Sequence, residues 1–71
     1  MPEPARDTVE VAATVREALP NALYRVELES EGRPKVVAHA APSLLRLLPG
    51  DGVVVELKPY DTTRGRILRR R

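Results

Sequence analysis

The 71-residue chain carries 12 Lys and Arg against 10 Asp and Glu, a formal net charge of +2, with no Cys, Phe or Trp and only two Tyr. A single domain of this size lies near the lower limit at which a core holds a chain together unaided, and it leaves no room for a deep catalytic cleft. Without Cys there are neither disulfides nor thiolate metal sites, so an aliphatic core must do the stabilising, and a reducing cytoplasm is the expected setting.

Met1-Pro2-Glu3-Pro4-Ala5-Arg6-Asp7 pairs two prolines with charges, so residues 1–8 are expected to be a disordered leader and 9–71 the folded domain. No apolar run approaches the ~20 residues that span a bilayer, and no stretch has the make-up of a secretory signal. Val9, Val11, Ala13 and Val15 alternate with Glu10, Ala12, Thr14 and Arg16, the period of a half-buried first strand. Leu19-Pro20-Asn21-Ala22 breaks it with turn chemistry, and Leu23 to Glu29 resumes it with Tyr24, Val26 and Leu28 on one face. Ser30 to Pro34, with Gly32 free to take a positive φ, is a hairpin loop into a third strand, Lys35 to Ala40.

Between Ala41 and Asp51 the period changes. Leu44, Leu47 and Leu48 stand at helical spacing, Ser43 is placed to cap the start and Pro49-Gly50 to stop it, which predicts one short helix. Val53, Val55 and Leu57 share a face of a fourth strand, and Pro59 to Gly65 leads to a short fifth strand around Arg66 to Arg70. The expected fold is all-β: a five-stranded Greek-key barrel of the OB type, with the helix between strands three and four. An SH3-like barrel is the main rival, disfavoured because its short helical turn usually precedes the last strand, whereas two strands follow it here.

Charge is polarised along the chain. From residue 58 onward Lys58, Arg64, Arg66, Arg69, Arg70 and Arg71 face Asp61 alone, while the rest of the chain is mildly acidic. Such an end fits a polyanion, and guanidinium groups fork onto phosphates where ammonium groups act as point charges. These six residues are therefore candidate RNA contacts, weighed against a solvated tail. In a strand from Arg66 to Arg70, Ile67 would face one way and Arg66 and Leu68 the other. Tyr24 reads as a core aromatic rather than a stacking platform, whereas Tyr60, in a polar turn, could pack on the rim or present its ring to a base. His39 is the only histidine and a poor metal site by itself; it reads as a surface residue with RNA contact, and Arg46 as a further basic candidate. Arg25, Glu27 and Glu29 read as a solvated face with Lys35 as cross-strand partner. No nucleophile has a His partner and no Gly-rich phosphate loop is present, so neither catalytic residues, cofactor nor metal are expected.

Leu19-Pro20-Asn21-Ala22-Leu23-Tyr24-Arg25-Val26-Glu27-Leu28, then Ala38-His39, Gly50-Asp51, Val55-Glu56-Leu57-Lys58-Pro59-Tyr60-Asp61 and Gly65-Arg66-Ile67 resemble bacterial translation initiation factor one, from about Val9 to Arg70. The resemblance implies the OB barrel and a monomer. It also implies binding to the small ribosomal subunit at the decoding site, through rRNA and a neighbouring ribosomal protein, with steric occupancy assisting the other initiation factors. RNA contact carries over onto Arg64, Arg66 and Arg70. Two departures stand out. After His39 the family has a longer Lys/Arg-rich segment, where this chain has Ala40-Ala41-Pro42-Ser43-Leu44-Leu45 and keeps only Arg46; and Arg69 stands where the family often has an aromatic. Alternatives are a stand-alone RNA-binding module or RNA chaperone and, further off, a protein-interaction barrel.

Overall fold

The computed structural model describes residues 8–41, 43–44, 46–58 and 61–71. The strands in chain order are β1 (Val9–Leu19), β2 (Leu23–Leu28), β3 (Lys35–Ala40), β4 (Gly52–Lys58) and β5 (Asp61–Arg70). They close into a barrel in the order β1-β2-β3-β5-β4, with β4 returning to β1. All pairings are antiparallel except that of β3 with β5, which run parallel. β1 serves two neighbours: its first half, Val9 to Thr14, pairs with β4, and Ala13 to Leu19 pairs with β2. A register shift between Val15 and Glu17 bends it from one to the other. This shared first strand and the parallel closure define the OB barrel and set the SH3-like alternative aside.

Alternation fills the interior from every strand. Ala13 and Val15, Val26 and Leu28, Val36 and Ala38, Val53, Val55 and Leu57, and Ile67 are all buried, joined by Leu47 from the β3–β4 connection. Ile67, Val15, Val26, Val53 and Val55 are the largest fully enclosed side chains, so the core is aliphatic as composition requires. Tyr24 is half-buried against it, in keeping with the core reading. The β1–β2 turn places Asn21 and Ala22 at φ 64° and 59°, and Asn is among the residues that tolerate this region best. In the β2–β3 loop Gly32 takes φ 81°, as its lack of a Cβ permits.

Two expectations are corrected. The described residues contain no helix between β3 and β4. The Leu44 N–H closes a tight turn onto the Ala41 carbonyl at 2.9 Å. Arg46 then takes φ 61°, which a right-handed helix cannot accommodate. Leu44 and Leu47 share their spacing because both cover one end of the barrel, Leu47 buried and Leu48 left 62% exposed. Pro42 and Leu45 lie outside the described residues.

The fifth strand is also longer than expected, beginning at Asp61 rather than near Arg66. It starts against β4, where Asp61 pairs with Lys58, and its middle pairs with β3, from Val37 with Arg64 to Ala40 with Ile67. Gly65 sits where an inward side chain would belong. A Cβ there would lie 2.6 Å from Val55 Cγ1 and 2.9 Å from Leu57 Cδ2, so the β4 side chains already occupy that space. No helix among the described residues is long and apolar enough to cross a membrane.

Candidate nucleic-acid interface

Parallel pairing of β3 with β5 decides what lies beside what on the outer surface. It sets His39 opposite Arg66 and Val37 opposite Arg64. On the other side of β3, Leu23 pairs with His39 and Arg25 with Val37. Two cross-strand rows result, Leu23–His39–Arg66 and Arg25–Val37–Arg64, in which half-buried Leu23 and Val37 lie among basic side chains. A shallow hollow lined by Leu23, Val37, His39, Thr63, Arg64 and Gly65 runs across them. Neighbouring hollows reach Lys58 on one flank and the Asn21-Ala22 turn on the other, and Arg66 borders both.

The cationic candidates divide into two groups. No hydrogen bond or ion pair among the described residues engages the side chain of Arg64 or Arg66, and both are exposed. Arg69 instead donates to Glu10 at 3.2 Å. Arg70 donates to the Arg46 backbone carbonyl at 3.3 Å. Arg71 forks onto both Glu29 oxygens at 3.2 and 2.5 Å, and its own N–H reaches the Gly52 carbonyl at 3.0 Å. Exposed pairs such as Arg69–Glu10 contribute only about 0–1 kcal/mol, so they are readily exchanged for another anion. Arg46 is exposed at the crest of the β3–β4 connection, and Lys58 is exposed at the end of β4. Tyr60 lies outside the described residues.

Acidic groups on β1 and β2 are neutralised in place. Arg16 Nε bonds Glu27 Oε1 at 2.7 Å, Arg33 lies 4.0 Å from the same carboxylate, and Arg25 pairs with Glu17. The Arg16 hydrogen bond holds the Glu27 carboxyl below its ordinary range, with Arg33 and Lys35 adding charge attraction. Hydrogen bonds from Arg71 and then Thr14 do the same for Glu29. Lys35 stands opposite Glu27 in register, as the strand alternation suggested. Glu56 lies beside Arg66 across β4 and β5 and accepts from the Thr8 hydroxyl at 3.2 Å.

The hollow has an aliphatic floor and a rim of guanidinium and imidazole groups, and no aromatic ring among the described residues faces it, since Tyr24 is committed to the core. The chemistry of such a surface suits phosphates and ribose edges, with guanidinium and imidazole planes as its stacking surfaces among the described residues. Sequence reading missed Leu23, Val37 and Thr63 as parts of this face. An apolar Val37 flanked by outward Lys35 and His39 was a usable signal; the position of Thr63 was not.

The fold and this face define a small OB-barrel protein with a cationic patch across β2, β3 and β5. No protein-family model matches the chain. Among solved structures it is similar to translation initiation factor one from the Wolbachia endosymbiont strain TRS of Brugia malayi, at 33% identity and a TM-score of 0.74, covering 97% of this chain and 84% of that one. The chain belongs to the family of translation initiation factor one.

Proposed function

We propose that this chain acts in the cytoplasm as a translation initiation factor. It binds small-subunit rRNA at the decoding site and supports the other initiation factors by steric occupancy, without chemistry. The observation that carries the reading is the pair of exposed arginines, Arg64 and Arg66, without a side-chain partner among the described residues and set by β3–β5 register beside His39 on the strand face that OB folds use for nucleic acid. Lys58, Arg46 and the tail arginines extend the same electropositive surface.

The test is binding of labelled protein to isolated small ribosomal subunits, with an unrelated structured RNA as competitor. Saturable one-to-one binding that resists the competitor is expected. With ~4 cation–phosphate contacts, log affinity should fall against log salt with a slope of about −3. Reversing Arg64 and Arg66 together to Glu should lower affinity by roughly 100-fold or more, since each charge-assisted contact contributes about 1.5–3 kcal/mol. Binding retained by that variant would sink the reading.

One observation favours a second reading, a general RNA-binding module. The β3–β4 connection carries Arg46 as its single basic residue, so few contacts are available beyond the strand face. Competitor-sensitive binding of undefined stoichiometry would select it.

A further inference from the structure

The β3–β4 connection is a bridge with both feet fixed. On one side Leu44 packs against the core, and on the other Leu47 is buried to 3% exposure. Beyond Leu47 the Leu48 N–H donates to Asp51 Oδ2 at 2.8 Å, and the Asp51 N–H returns to the Leu48 carbonyl at 3.0 Å. Between these feet Arg46 holds φ 61°, a conformation that a side chain with a Cβ keeps only where surrounding structure imposes it. Among the described residues the Arg70 guanidinium meets the Arg46 backbone there, 3.3 Å from its carbonyl oxygen and 24 residues away in sequence.

We propose that Arg70 is a positioning residue. By holding the Arg46 carbonyl it fixes the crest of the connection, so that the Arg46 side chain is presented outward as a phosphate contact at the far end of β5 from Arg64. Arg64 and Arg70 are six residues apart on one strand, which separates the two contact points by roughly 20 Å and gives the bound RNA a long footprint on the barrel. A guanidinium suits the task because its planar, pre-organised fork directs an N–H at a carbonyl with little loss of rotamer freedom. The inference rests on the RNA-binding reading above.

A double-mutant cycle on the full chain tests it. R46A, R70A and the double variant are titrated against small ribosomal subunits across a salt series, and amide exchange is followed in the free proteins. Arg70 is exposed, so its removal should leave the barrel folded. If Arg70 acts through Arg46, each single variant lowers affinity about fivefold and flattens the salt slope by about 0.7, and the double variant adds nothing beyond that. In R70A the amides of residues 46–48 should exchange faster, while those of Val55 and Ile67 stay unchanged. Losses that multiply in the double variant, or unchanged exchange at 46–48, would overturn the positioning role alone. Failure of the unaltered chain to bind saturably would overturn the RNA reading, and this inference with it.

Discussion

Gly65 shows how one residue joins the core to the surface hollow. It lies between Arg64 and Arg66, and it borders the groove outside while Val55 and Leu57 fill the space inside. An alanine here would push a methyl group to 2.6 Å from Val55 Cγ1 and 3.2 Å from the Glu56 carbonyl, and neither β4 nor its packed side chains can give by that much. Overpacking of this kind costs about 1–3 kcal/mol, which in so small a domain lowers the melting temperature by roughly 10 °C. Thermal denaturation of G65A should show that loss, accompanied by weakened RNA binding as the flanking arginines shift. A melting temperature within a degree or two of the parent would mean that β4 and β5 are not in the close contact described. Gly52 makes the opposite case, since its hypothetical Cβ would meet only the end of the flexible Arg71 side chain, so G52A should be much milder.

Elements differ in how far local sequence specifies them. β2, β3 and β4 were legible because their inward residues are apolar and their outward ones mostly polar, as in Val26-Glu27-Leu28 and Val55-Glu56-Leu57. The first half of β5 was not, because Gly65 takes an inward position and leaves no apolar alternation to read, and because the β3 strand that flanks Arg64 to Ile67 is distant in sequence. Leu44 and Leu47 misled by their spacing: three residues apart is also what an irregular cover over a barrel end needs, and nothing in an Arg side chain announces φ 61° at Arg46. For the site, the basic end was visible in composition, but its division into Arg64 and Arg66, unpaired among the described residues, and engaged Arg69 and Arg71 depends on contacts with Glu10 and Glu29. That division makes the end of β5 a strap. R71A should remove the fork on Glu29 and lower the melting temperature by roughly a few degrees at most, since an exposed ion pair contributes little to stability. It should cost RNA binding far less than the Arg64 and Arg66 reversals. A larger loss of binding than of stability would instead place Arg71 among the phosphate contacts.

At the scale of the molecule, several carboxylates are met by arginines within the fold, while exposed Arg64 and Arg66 place positive charge on β5 beside His39 of β3. Glu17, Glu27 and Glu29 each face an arginine. This arrangement fixes the acid response of the fold. Glu27 and Glu29 have folded-state pKa values lowered from 4.5, by the Arg16 and Arg71 hydrogen bonds respectively. The stabilisation these carboxylates give is therefore fully present above their unfolded value, and it is lost as pH falls through the lowered folded values. Melting temperature should be flat from neutral pH down to about 5 and decline modestly below about 4.5, with the acid limb made shallower by about 0.5 M salt, which screens exposed pairs. An E27Q/E29Q variant should begin slightly less stable at neutral pH and lose less on acidification, because two of the groups that bind protons on unfolding are gone. An acid limb as steep as the parent's would assign acid sensitivity to other carboxylates. Protonating Glu29 also frees Arg71, so the same acidification that loosens the barrel adds an unpaired cation to its positive end, and RNA affinity should hold or rise while the fold persists.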